Sequence, residues 1–85
     1  MLTPEQLREQ SRPQPAAGMV DGALVRELRL RTGIPIDDFA PEVGLSSSQL
    51  RNVELGHKQP SLEARYRLAM RLGVEPSALL AKTAA

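Results

Sequence analysis

The side chains best suited to chemistry in this chain crowd into one segment, Ser46 to Gln59. Ser47, Ser48, Gln49, Arg51, Asn52, His57, Lys58 and Gln59 can all form hydrogen bonds outward. Asn52 presents a donor and an acceptor side by side, the pattern that matches N6 and N7 of adenine. Arg51 carries a planar fork of N–H donors, whereas Ser47 and Ser48 can each give or accept one bond. This is chemistry for reading a polar surface, and little here could make or break a covalent bond. No nucleophile–base pair, metal cluster or phosphate loop is evident, so an enzyme is not expected. The chain has no cysteine, which excludes a disulfide framework, a Cys-ligated zinc and a thiol nucleophile. His57 is the only histidine and has no carboxylate cluster nearby, a poor metal ligand. No cofactor is implied.

Two short helices and a tight turn must position these residues. Phe39, Ala40 and Val43 make the inward face of the first. Gly44 stands where a helix ends in a left-handed residue, a conformation that glycine adopts cheaply. Leu45 packs inward from the turn. Ser46 to Gln49 has the S-x-x-Q pattern of a capping box, in which Ser46 caps and Gln49 reaches back. Leu50 and Val53 form the inward stripe of the second helix, and Gly56 stops it. Small Ala40 permits close approach of the pair. Such spacing is what a helix-turn-helix requires.

The flanks read as further helices. Asp21 caps one that carries Leu24, Val25 and Leu28 and ends at Gly33. After the loop Gly56 to Pro60, Ser61 caps another whose inward stripe is expected to be Leu62, Tyr66, Ala69 and Leu72. Arg65, Arg67 and Arg71 then fall on its outer side, as a solvated face or a partner surface. Glu75-Pro76-Ser77 opens a last short helix carrying Leu79 and Leu80. Residues 1–19 form an arm or linker, with a short helix capped by Thr3 and a Leu2–Leu7 staple. Pro13, Pro15 and Gly18 end it. The domain proper is expected over 20–82, and 83–85 fray.

Eighty-five residues make a single small domain whose every apolar stripe must be used. Hydrophobic residues are 41% of it, with one Phe and one Tyr, so the core is aliphatic and the fold all-α. No apolar run approaches the ~20 residues of a membrane span, which makes a cytoplasmic protein the default. A net charge of +1 argues weakly for any partner.

The ordered set Ala40, Gly44, Leu45, Leu50, Val53, Glu54-x-Gly56-x-x-x-Pro60-Ser61-Leu62 and Leu72-Gly73-Val74 resembles the domain of phage lambda repressor and Cro. This is the wider xenobiotic-response-element family of bacterial and phage regulators, and the resemblance runs from about Leu24 to Leu80. It implies a five-helix domain that binds double-stranded DNA sequence-specifically as a transcriptional regulator, a repressor first of all. The family's base-reading positions fall on Ser47, Ser48 and Asn52, with Gln49 and Arg51 beside them. Phosphate contacts fall on His57, Lys58 and the loop backbone to Gln59. The resemblance also implies that Arg29 pairs with Glu54, which makes both structural. A homodimer is implied as well, because one helix reads only about four or five base pairs. Residues 1–19 are either a mobile terminus or an arm for dimerisation or DNA contact.

Two departures stand out. The family usually has a polar residue at the position of Ile36, where it touches a phosphate, and Ile cannot do so. Pro41 lies inside the second helix, so a late start near Asp37 or Asp38, with Asp as N-cap, is expected. The segment Ile36 to Pro60 also holds four acidic side chains against two basic ones. That balance disfavours DNA unless outside bases such as Arg8, Arg12, Arg26 or Arg31 help. The alternative is a protein-interaction adaptor whose partner is a toxin, a polymerase subunit or a larger regulator.

Overall fold

The computed structural model describes residues 3–4 and 18–81. Apart from Thr3 and Pro4, the expected N-terminal helix, its Leu2–Leu7 staple and the proline segment lie outside the described residues, as does the tail from Lys82. Four helices follow in order: α1 (Gly22–Thr32), α2 (Ile36–Glu42), α3 (Ser47–Glu54) and α4 (Leu62–Leu72). The fifth helical element is a 3-10 turn, Pro76–Leu79. No strand occurs among the described residues, although Val20 and Leu80 form an isolated antiparallel bridge. Ala81 N–H donates to the Met19 carbonyl at 2.7 Å and Asp21 N–H to that of Leu79 at 2.8 Å. The first and last described segments of the domain are thus tied together.

Asp21 caps α1 as expected, its Oδ1 accepting from the Leu24 amide at 3.3 Å. Val25 is fully enclosed, with Leu24 and Leu28 half-buried. Gly22 begins the helix for a reason that lies elsewhere in the chain. A Cβ on it would collide with the Val53 carbonyl oxygen and stand 2.8 Å from that of Glu54. The first turn of α1 therefore rests directly on the backbone at the end of α3.

Helix α2 does not start late. The Pro35 carbonyl accepts from Asp38 N–H at 3.0 Å and Phe39 N–H at 2.9 Å, so the helix begins at Ile36. Pro35 itself is the N-cap, extended at φ −60° and ψ 152°, and no side chain caps the end. A proline ring already fixes φ there, so the Asp cap is dispensable. Asp37 and Asp38 lie instead in the first turn, where the helix dipole favours acids. Pro41 falls past that turn and leaves the Asp37 carbonyl without its intrahelical donor. Both residues are exposed, so water can serve that carbonyl.

The end of α2 is orthodox. Leu45 N–H donates to the Ala40 carbonyl at 2.9 Å and Gly44 N–H to that of Pro41 at 3.2 Å, a Schellman closure. Gly44 has φ +73°, and the Arg67 guanidinium occupies the space that a Cβ would take. Phe39, Leu50, Leu68 and Leu79, one from each of α2, α3, α4 and the 3-10 turn, are the largest enclosed side chains. They meet in a core that α1 closes with Val25.

Helix α4 keeps Ala69 and Leu72 of its expected inward stripe and turns Leu62 and Tyr66 outward. Its buried residues are Ala64, Leu68 and Ala69, with Leu72 half-buried, whereas Leu62 and Tyr66 are exposed. Both sets satisfy a 3.6-residue period, and the bulkier residues form the wrong one. Ala64 and Leu68 take the inward face in place of Leu62 and Tyr66.

Two substitutions probe this framework. Pro41→Ala restores a donor in the interior of α2 and is expected to stabilise by about 1–2 kcal/mol, after the loss of unfolded-chain restriction. That corresponds to a rise of several degrees in the thermal midpoint measured by circular dichroism; a fall would show that the ring is worth more than the bond. Gly22→Ala is expected to destabilise by about 1–3 kcal/mol in urea titration, since backbone rather than side chain must yield.

Candidate nucleic-acid interface

The outward chemistry of α3 depends on how its ends are held. Ser46 Oγ accepts from the Gln49 amide at 3.0 Å, and Gln49 Oε1 accepts from the Ser46 amide at 2.8 Å. Both halves of the capping box are made. The Gln49 side-chain oxygen is therefore tied to the cap, and its NH2 group is the part with no partner among the described residues. A side chain held at the cap in this way is poorly placed to present donor and acceptor together to an adenine.

At the other end a charged pair does the anchoring. Arg29 donates from Nε to Glu54 Oε2 at 2.7 Å and from Nη2 to Oε1 at 3.1 Å, a bidentate geometry. Its Nη1 donates to the Ile34 carbonyl at 3.2 Å. Both residues are 7% exposed. One guanidinium thus binds the end of α3 to α1 and to the loop before α2. Hydrogen bonding to Glu54 holds the Arg29 guanidinium above its ordinary range; burial works against this and the Glu54 charge adds to it.

Between these anchors Leu50 and Val53 seat α3 on the core. Ser48, Gln49 and Arg51 are exposed, and Ser47 and Asn52 are half-exposed on the same short helix. Arg51 has no acidic partner among the described residues. Asn52 contributes twice: its side chain makes no hydrogen bond among the described residues, and its carbonyl accepts from His57 N–H at 2.9 Å and Lys58 N–H at 3.3 Å. These two bonds fold the loop back over the helix end. They also occupy amides that could otherwise have met a phosphate, so His57 and Lys58 can offer their exposed side chains instead. Gln59 has a further role. Its Oε1 accepts from the Val20 amide at 2.9 Å, which moors the loop to the start of the domain.

The four acids of the segment are less of an obstacle than their number suggested. Glu54 is held by Arg29, and Glu42 is held by Arg71 from α4 at 2.9 Å. Arg71 also lies 5.6 Å from the Phe39 ring centroid. Asp37 and Asp38 remain, against Arg51 and Lys58, so the local charge is close to balanced. Arg67 pairs with Glu63 at 2.6 Å and Arg31 with Glu27 at 2.7 Å, which removes both as unopposed cations. Arg65 is half-buried rather than outward, with Nε enclosed and unpartnered. The Glu42 and Gln59 contacts were hidden because they join residues far apart in the chain.

Two helices crossing at a Gly44 turn, with a polar, firmly seated second helix, define a helix-turn-helix module. Comparison with known proteins agrees. A family model described as helix-turn-helix matches residues 25–79, and the chain belongs to that family of DNA-binding transcriptional regulators, of the Cro/C1 type. Among solved structures it is similar to the restriction-modification controller protein C.AhdI from Aeromonas hydrophila. Identity is 36% over 69% of this chain and 89% of that one, with a TM-score of 0.64. It is also similar to a hypothetical transcription factor, NHTF, from Neisseria, at 22% identity over 79% of this chain and 85% of that one. The TM-score there is 0.62, and at that identity the likeness concerns the fold alone. No curated protein matches the chain. No helix among the described residues is long and apolar enough to cross a membrane.

Glu54→Gln is expected to cost about 3 kcal/mol in urea denaturation, because it strands a buried guanidinium. Replacing both partners with apolar residues, Arg29→Met with Glu54→Leu, should cost far less than the single change. Equal losses would mean that packing, and not the charge pair, holds α3.

Proposed function

We propose that this protein is a dimeric repressor that reads the major groove of double-stranded DNA with α3. The observation that carries the reading is the division of that helix. Leu50, Val53 and Glu54 bind it rigidly to the domain, and Ser47, Ser48, Gln49, Arg51 and Asn52 stay available on its other side. A helix seated in this way can enter a groove without rearranging. Asn52 is the principal reader, with its donor and acceptor suited to adenine; Arg51 takes a guanine or a phosphate. Ser47 and Ser48 contribute single or water-mediated bonds, and Gln49 contributes chiefly through its NH2 group. Lys58 and His57 lie against the phosphate backbone, with the Gln59 amide beside them. The DNA-binding unit is taken as residues 20–82, with 1–19 an appended arm. The likeness to the controller protein C.AhdI supports a regulator of gene expression.

Dimerisation follows from information content, since two half-sites about 34–36 Å apart give a useful specificity ratio. A second reading, the protein-interaction adaptor, is favoured by one observation. Among the described residues most arginines are tied to acids, which leaves few cations for phosphates.

Anisotropy titrations at two salt concentrations separate the two. Asn52→Ala should lose base discrimination at one position of each half-site, by about 1–3 kcal/mol. Lys58→Ala should weaken all sequences alike and reduce the salt dependence by roughly one unit for each phosphate no longer neutralised. A folded wild type that forms no specific complex with any duplex selected from random DNA would favour the adaptor.

A further inference from the structure

The segment that leads into α1 is gripped on both of its edges. The Met19 carbonyl accepts from Ala81 N–H at 2.7 Å, and Asp21 N–H donates to the Leu79 carbonyl at 2.8 Å. In extended backbone the groups of the residue between them point the opposite way. The Val20 N–H therefore turns from this pairing toward the loop after α3, and the enclosed Val20 side chain holds it so. There the acceptor comes from a side chain, Gln59 Oε1, at 2.9 Å and across 39 residues. Lys58 is thereby bracketed. Before it, the Asn52 carbonyl takes the His57 and Lys58 amides; after it, Gln59 is tied to Val20 and Pro60 is buried. Lys58 is exposed and has no acidic partner among the described residues.

We infer, resting on the DNA-binding reading above, that the Gln59 side chain is a positioning group. It holds the Lys58 loop against the phosphate backbone by way of the Val20 amide, and does not itself touch DNA. The amides of Gly56, His57 and Lys58 all donate back to α3 carbonyls. Among the described residues, the Gln59 bond is the polar link from this loop to the rest of the domain. A phosphate contact gains from such a link, because ordering the loop on binding would cost conformational entropy. The chemistry of the acceptor fits as well. A neutral amide oxygen satisfies Val20 without setting an acid beside the phosphates, as a carboxylate in its place would. Residues 19–21 and 79–81, remote from any base, thus share in the grip on DNA.

The salt dependence of binding to a duplex selected by the wild type separates positioning from direct contact. Gln59 carries no charge, so losing a bond from Gln59 itself to a phosphate would lower affinity and leave the salt slope as it was. Misplacing Lys58 lowers the slope. Gln59→Ala is therefore expected to reduce it by roughly one unit for each Lys58 released, with the ranking of duplex sequences unchanged. Lys58→Ala should then add little in the Gln59→Ala background, a non-additivity that a double-mutant cycle measures. In the free protein, amide hydrogen exchange at Val20 should quicken in Gln59→Ala while Asp21 and Ala81 stay protected. Gln59→Glu keeps an acceptor and should retain the Val20 protection, and both variants should match the circular dichroism of the wild type. Additive losses with an unchanged slope would overturn the positioning role in favour of a direct contact. Val20 exchange indifferent to Gln59→Ala would overturn the bond itself. A wild type that binds no selected duplex, with Val20 still protected, would overturn the DNA-binding reading and leave the bond a purely structural one.

Discussion

The buried pair of Arg29 and Glu54 is the constraint on which the molecule turns. A carboxylate in the last turn of α3 faces the negative end of the helix dipole, and burial alone would make it costly. Arg29 offsets both penalties with two parallel hydrogen bonds and uses its third nitrogen on the Ile34 carbonyl. The result joins three parts of the chain at one planar group. Lysine could not do this, since its ammonium offers no fork to match a carboxylate. The pair fixes where α3 ends, and the capping box fixes where it begins. Between the two the readable residues have no freedom to tilt.

The same economy appears in the charges. A small domain that must approach a polyanion would gain from a basic surface, yet several of its arginines serve acids of their own chain. Glu42 and Glu54 are neutralised by residues that precede and follow the helix-turn-helix. The cost of carrying acids near DNA is thereby limited to Asp37 and Asp38. On the proposed reading, affinity then leans on Arg51 and Lys58, on the α3 N-terminus, and on pairing two copies.

Much of this is legible in the sequence where the determinant is local. The caps at Asp21, Ser46 and Ser61 each depend on a side chain reaching an amide three residues away, and all three are made. The Gly44 turn is equally local. The start of α2 misleads because Asp37 and Asp38 are good caps in isolation, and Pro35 makes a side-chain cap unnecessary. The phase of α4 misleads because periodicity gives an angle but not which of two apolar faces is covered. Gly22, the mooring of Gln59 and the Arg71–Glu42 pair depend on contacts across the fold, and no spacing rule reaches them. Among the proposed readers, the residue types are plain. What spacing does not reveal is that Gln49 spends its oxygen on the cap, or that the Asn52 carbonyl takes up two loop amides.

The bridge between Val20 and Leu80 bears on how the domain comes together. Contacts between successive helices, those of α2 with α3 above all, join segments near in sequence, which close quickly and at little entropic cost. The bridge joins the extremes, and its loop is nearly the whole domain. It therefore gains most of its stability once the helices have already docked, as a clasp shut on a finished object. Because Gln59 also bonds to Val20, opening the clasp at either end frees the loop that follows α3. Opening at Val20 or Leu80 is thus felt at Gln59, just past α3, some forty residues from the one and twenty from the other.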